Sequence, residues 1–335
     1  MSLIIPENYK SNLNGRETEK AIKFIKDTFQ HEIISALNLQ RISAPLFVRP
    51  ETGLNDNLNG VERPVSFDAP CIGGATLEIV HSLAKWKRMT LGRYGFNPGE
   101  GLYTDMNAIR RDEEVDNLHS MYVDQWDWEA VINKSDRTVE TLKRFVERIY
   151  TAMKSTQSRV CQKFSGIENN FPEEITFITT QELEDMYPDL EPKERENKLL
   201  REKKAVFLMQ IGKALKSGQR HDGRAPDYDD WELNGDILVY YPVLDMAYEL
   251  SSMGIRVDED SLLSQIKIAG CEDRLELDFH KKLLNKELPY TIGGGIGQSR
   301  LCMYMLGKAH IGEVQASVWP DDMRKTCEEN GIELL

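Results

Sequence analysis

The stretch Thr291-Ile-Gly-Gly-Gly-Ile-Gly-Gln-Ser-Arg300 carries the most structural information in the chain. Gly293, Gly295 and Gly297 alternate, and Arg300 stands three residues beyond the last of them. Alternating glycines let a backbone pass close to a flat ligand where any side chain would clash. An arginine on the next helical turn can face a phosphate or stack on an aromatic base. The competing reading is a glycine-rich turn that only caps the helix starting at Leu301. A Rossmann dinucleotide site is excluded, because no acidic residue follows a second strand about 20 residues further on.

Working outward, Ala108-Ile-Arg110-Arg-Asp-Glu113 places two arginines at the end of an extended run. Residues 101–110 and 118–128 read as two extended segments joined by an acidic turn at 112–114. A strand sends Arg110 and Arg111 to opposite faces, so only one can point inward. An inward arginine on a rigid strand suits a phosphate, which it can grip through paired hydrogen bonds. A surface hairpin laced with ion pairs is the alternative. Residues 17–37 read as an amphipathic helix, with Ile22, Ile25, Phe29, Ile33 and Leu37 at helical spacing. Residues 39–48 read as a strand broken at Pro45, which cannot donate to a sheet ladder.

Further strands are expected at 76–80, 175–179, 205–211, 237–242 and 247–250. Helices are expected at 82–91 with Ser82 as N-cap, at 138–164, at 275–286, and at 191–204, a charged and solvated segment. Residues 219–231 form a polar loop. The strands cluster without regular strand–helix alternation, so an α+β fold is expected, with a mainly antiparallel sheet flanked by helices. No linker is visible, so one domain should span 1–335, with 1–16 as a loosely ordered extension.

Composition narrows the classes. Hydrophobic residues make up 40% and charged residues 29% of the 335, an ordinary globular balance. No stretch approaches the ~20 apolar residues that span a bilayer. The N-terminus lacks a basic-then-apolar signal order, so a cytoplasmic protein with no membrane partner is expected. The five cysteines are scattered, without the spacing of a zinc site or disulfide framework. A metal, if used, should be held by carboxylates, which favours Mg2+. The net charge of −13 lacks the footprint of a nucleic-acid binder.

Helix, proline-broken strand, strand ending in arginine, then glycine–arginine helix start: this order resembles the three motifs of class II aminoacyl-tRNA synthetases. The resemblance implies a fold like that catalytic core. It also implies Pro45 at a dimer interface, Arg110 on the α-phosphate of ATP, and Arg300 at the far end of the nucleotide. It narrows further. His81-Ser-Leu-Ala-Lys85-Trp-Lys87-Arg, Gly99-Glu-Gly-Leu-Tyr-Thr104, Tyr122-Val-Asp-Gln-Trp-Asp-Trp128, Arg224-Ala-Pro-Asp-Tyr-Asp-Asp-Trp231 and Leu250-Ser-Ser-Met-Gly-Ile-Arg256 look like the ammonia-dependent asparagine synthetases, over about residues 17–319. One register stays open: the family pattern favours Arg110, whereas the class spacing to Glu113 favours Arg111.

That family implies a ligase acting on aspartate, ammonia and ATP through a β-aspartyl-adenylate, releasing AMP and pyrophosphate, as a homodimer. Arg110, Arg300, Asp56 and Gln125 are then the expected catalytic set. Asp56, His81, Lys87, Gln125, Asp127, Asp230, Ser252 and Arg256 should meet aspartate. Arg256 would pair with a substrate carboxylate, while Asp56 or Asp230 would hold the α-ammonium or take a proton from ammonium. His81 reads equally as a helix-capping residue. Glu113, Gly293, Gly294 and Gly295 should join the arginines around ATP, with Asp236 and Glu249 as magnesium ligands. Trp126 and Trp128 alternate with Gln125 and Asp127, so the indoles belong to the core and the polar pair to the site wall. Glutamine should not be the nitrogen donor, since no cysteine sits beside a plausible histidine base. Rival expectations are an aspartyl- or asparaginyl-tRNA synthetase and a non-catalytic relative that binds an amino acid or adenylate.

Overall fold

In the computed structural model, which describes residues 3–56 and 62–335, the glycine stretch is a strand rather than a turn. In chain order the first elements are α1 (Gly15–Leu37), β1 (Leu39–Arg41), β2 (Phe47–Val48), β3 (Ser66–Ala69), β4 (Ala75–Ile79) and α2 (Ala84–Tyr94). Next come β5 (Gly101–Ile109), β6 (Tyr122–Val131), α3 (Val139–Lys163), β7 (Thr176–Thr179), α4 (Thr180–Met186), α5 (Pro192–Lys203) and β8 (Ala205–Met209). The chain continues with β9 (Asp229–Tyr241), β10 (Met246–Arg256), α6 (Glu259–Ala269), α7 (Asp278–Leu284), β11 (Thr291–Gly297), α8 (Gln298–Leu306) and α9 (Asp321–Glu329).

Eight strands form one sheet in the order β1-β5-β6-β11-β10-β9-β8-β7. The five inner pairings are antiparallel, but β1 joins β5 and β7 joins β8 in parallel. The sheet is therefore mixed, not the mainly antiparallel one expected, because each edge strand enters in the same direction as its neighbour. The extended run at 39–48 is also corrected. It splits at Pro45 into β1, on the large sheet, and β2, in a separate three-stranded sheet ordered β2-β4-β3.

Alternation gives the large sheet two unlike faces. Trp126, Trp128, Ile292, Ile296, Met253 and Ile255 point to one face and bury against α1, α3 and α8 in the main core. Each fully buried side chain of this size contributes roughly 1.5–3 kcal/mol. The opposite face carries Gln125, Asp127 and Glu129 of β6 beside Gly297, Gly295 and Gly293 of β11 and Ser252 of β10. α2 covers part of it and α5 packs over β8, β9 and β10.

α1 starts at a capping box: Asn14 Oδ1 accepts from Glu17 N and Glu17 Oε2 from Asn14 N, at 3.0 and 3.1 Å, a device worth about 1 kcal/mol. The N-terminal extension, expected to be loose, is tied down. Asn117 Oδ1 accepts from Ile4 N, Tyr9 Oη bonds Glu313, and Lys308 Nζ donates to Ser11 Oγ. Met1 and Ser2 lie outside the described residues.

These contacts meet at residues 308–315, which also border the cavity described below. His310 there is wholly buried, its Nδ1 accepts from Gly312 N at 3.0 Å, and its ring meets Trp319 edge-on. Burial pushes its pKa down to about 4, with Asp116 offsetting only part. The unfolded chain thus binds this proton first as pH falls, so stability is lost between the ordinary value near 6.5 and pH 4. We expect this residue to contribute about 2–3 kcal/mol to that loss. His310→Gln should flatten the dependence of denaturant midpoint on pH over this window; parallel curves for parent and variant would refute it.

Candidate active site

Gln125, Asp127, Gly294, Gly295 and Ser252 form the floor of a cavity of about 480 Å3. Arg110 reaches it from the end of β5, Arg300 from the first turn of α8, and Asp56, His81 and Lys87 from the α2 side. The two motif arginines, far apart in sequence, therefore share one cavity. Pro45 does not line it.

The glycines explain the floor. A Cβ on Gly293 would overlap Glu129 Oε2, and one on Gly295 would overlap Gln125 Oε1 and stand 2.9 Å from Asp127 Oδ1. The alternating glycines thus make room for polar side chains of β6, not directly for a flat ligand. Gly293, expected beside ATP, itself lies under Glu129 and Arg256 and does not line the cavity.

Behind this floor sits a buried charge network. Lys87 is 1% exposed; its Nζ donates to Gly294 O at 3.0 Å and pairs with Asp127 at 3.2 Å and Glu129 at 3.9 Å. Burial lowers the Lys87 pKa despite both carboxylates. Burial alone would raise that of Glu129, but Arg256 and Lys87 outweigh it and hold the carboxylate ionised. Arg256 grips Glu129 through Nε and Nη2 and donates Nη1 to Asp229. It was expected to hold a substrate carboxylate; two protein carboxylates already share its charge.

Arg110 is set differently. Its nearest carboxylate is Glu113 at 3.8 Å, and its Nε is a buried donor with no acceptor. Arg111 lines the same cavity but is exposed. Arg300 is steadied by α8, whose first turn is anchored by Asp124 accepting from Ser299 N at 3.0 Å and Ser299 Oγ at 2.9 Å. Its Nη1 donates to Glu249 O at 3.3 Å.

Asp236 and Glu249 face each other across β9 and β10 because of a bulge. Tyr248–Glu249 pair with Val239–Leu238, yet Ser251–Ser252 pair with Ile237–Asp236. The extra residue turns Glu249 to the cavity face. Burial, with Glu249 nearby, pushes the Asp236 pKa up to about 6, although Arg224 donates to it at 2.6 Å. Glu249 is held low, since Arg300, Lys193 and Arg224 outweigh its burial.

Asp230, like Gly293, is an expected site residue that the fold places outside the cavity lining. It turns away to Arg137 Nη2 at 2.7 Å and does not line the cavity. Sequence reading did not name Lys193, Asp222, Arg224, Tyr228 and Asp229 of the cavity lining, nor Glu129 behind it. Glu129 continues the alternation of Gln125 and Asp127 and was readable from it. Arg224, which bonds Asp236 and Ser252 Oγ, stood in a quoted motif without a role. Lys193 arrives from α5, whose charged pattern gave no hint of the cavity.

Among solved structures the chain is similar to two asparaginyl-tRNA synthetases. The one from Entamoeba histolytica aligns with TM-score 0.65 and 12% identity over 90% of this chain and 67% of that one. The one from Pyrococcus horikoshii, complexed with asparaginyl-adenylate, aligns with TM-score 0.64 and 16% identity over 90% and 70%. Identities this low establish the fold alone. In sequence the chain is 69% identical to an aspartate–ammonia ligase of Ruminiclostridium cellulolyticum, over 100% of this chain and 99% of that protein. It is 64% identical to one of Clostridium tetani, over 99% and 98%. Residues 16–331 match the aspartate–ammonia ligase family. Full-length identity at this level sets aside both the tRNA synthetase and the non-catalytic expectation. The chain belongs to the aspartate–ammonia ligase family and makes asparagine from aspartate and ammonia.

Proposed function

We propose that the cavity carries out the ligation in two steps, with ATP as the activating substrate. The β-carboxylate of aspartate attacks the α-phosphorus of ATP, forming β-aspartyl-adenylate and expelling pyrophosphate. Ammonia then attacks the acyl carbon, and AMP leaves with the electrons of the broken C–O bond. A free carboxylate is a poor acyl donor; adenylation supplies the leaving group. The observation that carries this reading is the convergence of Arg110 and Arg300 on one cavity, with the buried Arg110 Nε lacking an acceptor. A buried donor left unpaired costs about 1–3 kcal/mol, which a bound phosphate oxygen would recover.

Arg110 is therefore assigned to the α-phosphate, in preference to the exposed Arg111, with Glu113 orienting it. Arg300 is assigned to the far phosphates, and Gly294 and Gly295 to the nucleotide-facing floor. Positioning and neutralisation of this kind dominate phosphoryl transfer. Lys87, Gln125, Asp127 and Ser252 are assigned to aspartate, together with Asp56. Arg256, already shared between Glu129 and Asp229, is better suited to fixing these groups than to carrying the whole charge of a carboxylate.

Asp236 and Glu249 fit a magnesium ion of the kind held by one or two carboxylates plus substrate phosphates. Burial and the neighbouring Glu249 push the Asp236 pKa up, so an ion there would first relieve this carboxylate, while Glu249 is already met by Arg300, Lys193 and Arg224. Bound there, the ion would neutralise phosphate oxygens.

A homodimer would cover Leu46, Phe47 and Phe67, which are 50%, 44% and 39% exposed. Phe47 and Phe67 meet edge-on at 5.3 Å on the small sheet beside Pro45. One catalytic domain over 1–335 in the cytoplasm completes the reading. None of the helices described is long and apolar enough to cross a membrane.

Aspartate-dependent exchange of labelled pyrophosphate into ATP, without ammonia, is the direct test; its absence would exclude the adenylate. Arg110→Ala should lower kcat/KM on the order of 100- to 1,000-fold, comparable to losing a transition-state donor. Arg111→Ala should retain most activity, and the reverse ranking would move the assignment to Arg111. Asp236→Asn should raise the magnesium concentration for half-maximal exchange by at least the ~10–100-fold typical of disturbed metal sites; an unchanged requirement would remove the pair as ligands. Sedimentation should show a dimer that Phe47→Asp dissociates, and a monomeric parent would end the dimer proposal.

A further inference from the structure

Ammonia is mostly ammonium at neutral pH and cannot attack until it loses a proton. Asp230 is excluded as the acceptor by its place outside the cavity. A histidine on the cavity wall has an unused lone pair.

His81 is 1% exposed and borders the cavity between Asp56 and Ser82. Its Nδ1 lies 3.1 Å from Asp56 O. A carbonyl oxygen can only accept, so Nδ1 carries the hydrogen, and in the neutral ring Nε2 is left as the lone-pair acceptor. That Nε2 is buried and meets no donor. The ring does not serve α2 as a cap: the helix begins at Ala84, and Ser82 Oγ accepts from Ala84 N at 3.1 Å. The segment is held firmly, since Asn55 Oδ1 accepts from both His81 N at 2.9 Å and Asp56 N at 3.0 Å. A buried acceptor kept in place without a donor calls for a donor that arrives with substrate. Asp127 and Asp229 on the same cavity are already paired with Lys87 and Arg256, and the donor that the ligation itself brings is ammonium.

We propose that His81 is a catalytic residue whose Nε2 takes a proton from ammonium in the amide-forming step, a role that rests on the adenylate reading above. Ammonium donates to Nε2 and becomes ammonia, leaving the ring as imidazolium. The nitrogen lone pair forms the C–N bond to the acyl carbon, and the C–O bond to AMP breaks with its electron pair going to the phosphate oxygen. The new nitrogen sheds one more proton to water, and the imidazolium returns its own to water. Asparagine, AMP and two protons leave, which balances the step.

The test compares His81→Asn, whose amide can still donate to Asp56 O but offers nothing at the Nε2 position, with the parent. Three rates are read: aspartate-dependent pyrophosphate exchange, asparagine formation from ammonium, and aspartyl hydroxamate formation from hydroxylamine, which is already neutral at neutral pH. Asparagine formation should fall on the order of 100-fold or more, the usual contribution of a positioned base, with exchange and hydroxamate formation little changed. A joint fall of all three with a raised KM for aspartate would overturn the proposal and place His81 on the aspartate ammonium. Three unchanged rates would overturn it in favour of a packing role. If the Asn variant does not fold, the ratio of amide to hydroxamate is read on His81→Gln; a ratio equal to the parent's overturns the proposal. Failure of exchange in the parent would sink the adenylate itself, separately from His81.

Discussion

A strand can show only alternate residues to one face, and the site is built on that constraint. Along β6 the sequence Gln125-Trp-Asp-Trp-Glu129 sends carboxylates and amide one way and indoles the other. A one-residue slip would exchange the two sets, putting three polar side chains into the main core. The antiparallel ladder with β11 therefore fixes more than shape. It holds Gly293, Gly295 and Gly297 opposite those polar residues; a side chain on Gly293 or Gly295 would collide with them, and one on Gly297 would press on Arg300. The bulge near Glu249 works by the same rule in reverse, since it inverts the face of a single residue and brings Glu249 level with Asp236.

Burying so many charges costs free energy unless each is paired and hydrogen-bonded. Here Glu129 sits between Arg256, Lys87 and Thr291, with contacts of 2.7 Å to Arg256 Nη2 and to Thr291 Oγ1. Asp229 shares Arg256, and Asp127 shares Lys87. Such a network is rigid once satisfied, and removing one member strands its partners. It stabilises the arrangement of the floor more than the fold. The contrast with Arg110 Nε and His81 Nε2 is informative: among the described residues these buried atoms of the cavity lining, like Arg224 Nε, have no hydrogen-bond partner. Buried polar groups without partners call for an explanation, and the roles proposed above for Arg110 and His81 supply one.

Much of this was legible in the sequence because periodicity is local. The period-2 alternation at residues 125–128 separated the cavity lining from the core, and the helical spacing of Ile22, Ile25, Phe29, Ile33 and Leu37 gave the buried stripe of α1. Both arginines were placed by their strand and helix ends. What failed was set by tertiary structure. Asp230 was named for the site from its motif, but its direction depends on Arg137, 93 residues away. The parallel edges of the sheet depend on where β1 and β7 dock, which no local pattern encodes. Gly293 was given a ligand because alternating glycines suggest close approach; they do permit it, but the approaching group over Gly293 is the side chain of Glu129.

The position of α5 shows how a bland segment enters a site. Most of its residues are charged, and that pattern assigns it to solvent. Yet Leu199 and Leu200 bury against Val206, Leu208 and Leu238 on the cavity side of the sheet, and this docks the helix beside β10. Lys193, the second residue of the helix, then stands at the cavity with Glu196 at 3.2 Å and Asp222 at 3.5 Å. Its charge, with those of Arg224 and Arg300, holds the Glu249 carboxylate ionised while its partner Asp236 is pushed up to about 6. The two carboxylates are thus unequal before any ligand arrives: one is surrounded by cations, and the other depends on a single arginine. An incoming cation would gain most from Asp236, the carboxylate that desolvation and Glu249 leave least compensated.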